Sequence, residues 1–151
     1  MSNLEELYKE IILDHYRTPR NRGELAPPAS KTEGFNPLCG DELTVYLEVT
    51  DGKIVDIKIT GHGCSISQAS SSLMSVAVKG KTLEEVRELL SKFKNMMTLE
   101  GDVVDLNDPA NREVLRSHGE LAALQGVSKF PVRIKCATLA WNTLSQGLEE
   151  N

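Results

Sequence analysis

Two alternating runs on either side of Asp51-Gly52 constrain this chain more than any other feature. Leu43, Val45, Leu47 and Val49 alternate with Thr44, Tyr46, Glu48 and Thr50. Val55, Ile57 and Ile59 then alternate with Asp56, Lys58 and Thr60. A period of two in β-branched residues marks a half-buried strand. Asp-Gly tolerates the positive φ that a tight two-residue turn requires. The pair is predicted to be an antiparallel hairpin with one apolar face, and that face needs a cover.

Helices supply it. Leu4, Leu7, Tyr8, Ile11, Ile12 and His15 recur at helical spacing over residues 3–17, ending near Thr18-Pro19. Residues 19–38, with Pro19, Pro27, Pro28 and Pro37, read as mostly extended coil with room for one edge strand. After the hairpin, Gly61-His62-Gly63-Cys64 leads into a helix with Ile66, Ala69, Leu73, Val76 and Ala77 on one face. Its serines are small enough for close packing, and Gly80 stops it. Thr82 and Glu85 form a capping box for the next helix, lined by Leu83, Val86, Leu90 and Phe93. Residues 95–107 read as an acidic loop. Asp108-Pro109 opens a short helix to Gly119, and another covers 120–125. Pro131 precedes a final helix with Ala137, Ala140, Trp141, Leu144 and Leu148 on one face. The expected class is α+β, a small antiparallel sheet of about three strands with helices packed on one face. The 151 residues fit a single domain, 1–151.

Charge narrows the partners. Lys and Arg number 17 against 22 Asp and Glu, a net charge of −5, and aromatics are 5%. That balance gives no electrostatic case for nucleic acid. No apolar stretch is long enough to span a membrane. Met1 to Asp14 is polar and acidic, unlike a secretory signal. The expectation is a cytoplasmic protein.

Cys39, Cys64 and Cys136 are the only cysteines, and none forms a C-x-x-C pair. In a reducing compartment the ordinary reading is three small buried hydrophobes. Their positions argue for more. Each falls at an element junction, with Cys136 in the first turn of the last helix. Cys39 and Cys64 lie about twelve residues from the hairpin turn on either side, so antiparallel pairing brings them to one end of the sheet. Helix N-termini favour anions, which supports thiolates at Cys64 and Cys136. Arg133 and Lys135 push the same way, and Arg133 is also a candidate contact for a partner. Three close thiolates repel, and a divalent cation removes the repulsion. Asp41 shares the side-chain face of Cys39 and offers an oxygen as fourth ligand, a set that fits tetrahedral zinc. His62, two residues before Cys64, competes for that place.

The other histidines are less informative. His15 reads as a packed core residue, and His118 as a favourable charge near a helix C-terminus. The acidic run Glu100, Asp102, Asp105 and Asp108 lacks the glycine and terminal glutamate of an EF-hand. The H-x-E and P-C-x-x-C pattern of zinc deaminases is missing.

Four segments in order carry a resemblance over nearly the whole chain. They are Asp14-His15-Tyr16-Arg17-Thr18-Pro19-Arg20-Asn21, Asn36-Pro37-Leu38-Cys39-Gly40-Asp41, Gly61-His62-Gly63-Cys64-Ser65-Ile66-Ser67 and Lys135-Cys136-Ala137-Thr138-Leu139-Ala140-Trp141. The chain resembles the iron–sulfur assembly superfamily of IscU and the NifU N-terminal domain. Lys135 stands where the scaffold branch has histidine. The chaperone-binding stretch is altered to Phe130-Pro131-Val132-Arg133, and an insertion falls around residues 94–120. These departures resemble the SufU-type branch of zinc-dependent sulfurtransferases. The resemblance implies zinc held by Cys39, Asp41, Cys64 and Cys136, with Cys39 accepting sulfur as a persulfide. It implies a SufS-type cysteine desulfurase as partner, one of whose histidines takes over a zinc position and releases Cys39. Downstream cluster scaffold proteins would receive the sulfur, and turnover would require the partner. The alternative within the superfamily is a scaffold on which an iron–sulfur cluster is assembled and passed on.

Overall fold

The alternating runs form β2 (Asp41–Thr50) and β3 (Lys53–His62), joined by Asp51 and Gly52 at φ 53° and 73°. The computed structural model describes residues 3–37, 40–97, 121, 123, 124, 127 and 131–149. The Pro-rich segment supplies a third strand, β1 (Ser30–Asn36), antiparallel to β2, so the sheet order is β1-β2-β3. Leu43, Val45 and Leu47 of β2 and Ile57 and Ile59 of β3 share the buried face. Residues 21–23 line the far edge of β3. Asn21 accepts from the Ile59 N–H at 2.9 Å, and the Gly23 N–H donates to the Ile59 carbonyl at 3.2 Å.

One expected core residue lies outside the core. Glu48 faces Asp56, but Val49 faces Ile54, which leaves Val55 as an extra residue in β3. Such a bulge reverses the alternation beyond it. Ile54 is therefore fully buried and Val55 is 41% exposed. The Ile54 backbone finds other partners. Its N–H donates to the Lys81 carbonyl at 2.9 Å, and its carbonyl accepts from the Gly80 N–H at 2.7 Å.

Four long helices are described: α1 (Asn3–Arg17), α2 (Ser65–Val78), α3 (Leu83–Met97) and α4 (Pro131–Glu149). The last packs across β1 and β2, and α2 packs on β3. At the α4 crossing, a Cβ on Gly34 would lie 2.0 Å from Thr143 Oγ1, so only glycine permits the approach. The serines of α2 do more than leave room. Ser70 Oγ accepts from Trp141 Nε1 at 3.1 Å and donates to the Ala137 carbonyl at 2.5 Å. Ser72 bonds the buried His15 ring at 2.7 Å and accepts from the Arg20 N–H at 2.9 Å. His15 is thus the packed histidine its helical position predicts. Trp141 stacks on Phe93 with ring centroids 4.1 Å apart, tying α3 to α4.

The capping box forms reciprocally. Thr82 N–H donates to Glu85 Oε1 at 3.0 Å, and Glu85 N–H to Thr82 Oγ1 at 3.1 Å. Residues 95–97, expected in the acidic loop, instead continue α3. Met96 and Met97 prolong the buried stripe of Val86, Leu90 and Phe93. The rest of that loop, the expected helix over 108–119, His118, the acidic run and most of the 94–120 insertion lie outside the described residues. In the expected 120–125 helix, Leu121, Ala123 and Leu124 have 3-10 geometry and are buried, as is Val127 beyond it. No helix among the described residues is long and apolar enough to cross a membrane.

Candidate metal centre

Asp41 opens β2 on the same face as Leu43 and Val45, so its side chain points inward and is fully buried. Burying a carboxylate costs several kcal/mol unless hydrogen bonds or a cation offset it. The Cys64 N–H donates to Oδ1 at 2.9 Å, and Asn36 Nδ2 donates to Oδ2 at 3.3 Å. Gly63 makes room for the carboxylate.

Cys64 is the N-cap of α2. Its backbone is extended (φ −70°, ψ 167°), and its sulfur accepts from the Ser67 N–H at 3.5 Å. The expected helix-terminus support for a thiolate is therefore present. For Cys136 it is not. Proline is accommodated as the first helical residue, so α4 begins at Pro131 and Cys136 falls in its second turn. The support there comes from side chains. Asn36 Nδ2 lies 3.8 Å from Cys136 Sγ. Arg133 stands one turn earlier, where both sulfurs act on its charge. A hydrogen bond to Cys136, and then the charge of Cys64, hold its guanidinium above its ordinary value. Lys135 is exposed on the same helix.

The candidate ligand atoms of Asp41, Cys64 and Cys136 all lie within 4.8 Å of one another. Neighbouring ligands of a tetrahedral zinc with ~2.3 Å Zn–S bonds are roughly 3.5–3.8 Å apart, so the set fits zinc with shifts of about an ångström. Zinc is a borderline ion that accepts both soft thiolate sulfur and hard carboxylate oxygen. His62 is not brought in. It pairs across the strands with Glu42, and its Nε2 lies 3.1 Å from Glu42 Oε2 with both side chains exposed. Strand alternation explains the choice: Asp41 points in, Glu42 points out, and His62 follows its partner. Cys39 lies outside the described residues, two positions before Asp41 in sequence.

Sequence reasoning missed two residues here. Asn36 is buried beside Asp41, its register partner across β1 and β2. Only the register reveals it. Arg22 reaches Gln68 Oε1 at 2.9 Å and the Gly61 carbonyl at 3.0 Å, holding the loop that leads to Cys64. An arginine in a coil segment gives no such signal.

Residues 7–137 match the family described as the NifU-like N terminal domain. The chain is 43% identical to the zinc-dependent sulfurtransferase SufU of Bacillus subtilis (strain 168), over 97% of this chain and 92% of that protein. It is 39% identical to the iron–sulfur cluster assembly scaffold protein IscU of Streptococcus pyogenes serotype M1, over 100% of this chain and 88% of that one. A crystal structure from Fervidobacterium islandicum AW-1, described as an iron–sulfur cluster assembly scaffold protein for the SUF system, superposes with a TM-score of 0.78. That chain is 37% identical, with 95% of this chain and 98% of that one covered.

Proposed function

The chain belongs to the NifU-like N-terminal domain family, and from that premise we propose that it is a zinc-dependent sulfur acceptor for iron–sulfur cluster assembly. Its partner is a cysteine desulfurase that carries sulfane sulfur as a persulfide. Cys39, Asp41, Cys64 and Cys136 would hold the zinc. The observation that carries the reading is the convergence of Asp41, Cys64 and Cys136 within 4.8 Å, from a strand start, a helix cap and a helix turn far apart in sequence. Bound zinc would keep the thiols deprotonated at neutral pH without redox chemistry of its own.

The chain's residues divide the work. Cys64 caps the start of α2 and Cys136 lies within α4, with Arg133 one turn before it. Cys39 stands in sequence between Pro37-Leu38 and Gly40, apart from the two helix-borne cysteines, and we assign it the acceptor role. Its thiolate attacks the terminal sulfur of the desulfurase persulfide. A new S–S bond forms on Cys39, the old S–S bond breaks, and the desulfurase cysteine leaves as a thiolate. No electrons are gained or lost overall.

The test is persulfide labelling after incubation with desulfurase and cysteine. Label on Cys39 of the wild type and none on Cys39→Ser is the expected result. Equal sulfur uptake by Cys39→Ser would end the assignment.

The similarity to IscU supports a second reading, a scaffold on which a cluster is built as cargo. It predicts sulfur-to-iron charge-transfer absorption after anaerobic addition of iron and sulfide. Lys135, an aliphatic amine in place of a ligating histidine, favours the acceptor reading over this one.

A further inference from the structure

We propose that Asn36 is a positioning residue of this centre, a role that rests on the zinc reading above. Its side-chain amide nitrogen carries two hydrogens. Asp41 Oδ2 lies 3.3 Å from that nitrogen and Cys136 Sγ lies 3.8 Å from it. One amide therefore spans two candidate ligands from β2 and α4, and Cys136 is 100 positions away in sequence.

The placement follows from the sheet. Asn36 is the last residue of β1 and pairs with Asp41, the first of β2. It is only 5% exposed although it ends an edge strand. Each Asp41 oxygen then has a donor, Cys64 N–H on Oδ1 and Asn36 on Oδ2. Two donors from different elements stop the carboxylate from rotating. Each oxygen keeps a lone pair for a cation. At Cys136 the N–H draws electron density from the sulfur, as partners behind metal ligands commonly do.

The experiment uses the full chain with Zn²⁺ and Co²⁺ as probes. Asn36→Leu keeps the branched shape at somewhat greater bulk and removes the donor. It is expected to weaken zinc binding by about 10–100-fold in chelator competition. The Co²⁺ ligand-field bands are expected to shift, a change that a space-filling role would not produce. Asn36→Ser serves if the leucine variant does not fold. It keeps a shorter donor and is expected to fall between wild type and leucine. Zinc affinity within twofold of wild type and unmoved Co²⁺ bands in a folded variant would overturn the inference alone. A wild-type chain that takes up no zinc would instead overturn the metal centre on which it rests.

Discussion

The Asp41 carboxylate occupies the space that a side chain on Gly63 would need: a Cβ there would lie 2.3 Å from Oδ1. The next residue, Cys64, donates its backbone N–H to that same oxygen. The absence of a side chain at Gly63 and the position of the buried acid are therefore one structural fact. Gly63→Ala is expected to displace Asp41 and weaken zinc binding at least tenfold, about the effect of losing a partner behind a ligand. Chelator competition measures it, and unchanged affinity would show that the carboxylate has room to spare.

Asp41 and His62 separate cleanly. Asp41→Ala is expected to loosen zinc, whereas His62→Ala should leave affinity within twofold, because His62 faces Glu42 on the outer side. The opposite ranking by isothermal titration would return His62 to the ligand set.

Chelation is expected to lower the melting temperature without abolishing the fold. In zinc fingers, structural zinc contributes about 10–16 kcal/mol and the apo state is unfolded. Here Trp141, Phe93, Leu47, Ile57 and Ile59 form a core that does not depend on the site. Far-UV circular dichroism of apo protein should retain its helical signal, and a random-coil spectrum would contradict the prediction.

Thr82→Ala is expected to cost about 1 kcal/mol, the usual worth of a helix N-cap. Equilibrium urea unfolding measures it. A loss of under a few tenths would mean that α3 starts equally well without the reciprocal bonds to Glu85.

Acid weakens the same cap. Hydrogen bonds from Thr82 hold the Glu85 carboxyl below its ordinary value of 4.5. The unfolded chain then binds more protons, so stability falls as pH drops. The contribution is complete above the ordinary value and lost as pH falls through the lowered folded one. Asp14, lowered chiefly by its hydrogen bond from Arg20, acts in the same direction below its ordinary 3.8. The stability gap between wild type and Glu85→Gln should begin to narrow near pH 4.5 and close as pH falls through the lowered folded value. A gap independent of pH would sink the prediction.

Local chemistry made much of this fold legible. The Asp51-Gly52 turn, the Thr82–Glu85 box and the Cys64 helix start depend on residues a few positions apart, and so does the inward aim of Asp41. These the amino-acid order determined alone, because turn φ, capping and alternation are short-range. Other features depend on which strand meets which, and at what register. The bulge that exposes Val55 and buries Ile54 is one. The outward turn of His62, the burial of Asn36 against Asp41 and the approach of Cys136 to Cys64 and Asp41 are others. Only the tertiary structure decided them, because each needs a partner that no neighbouring residue supplies.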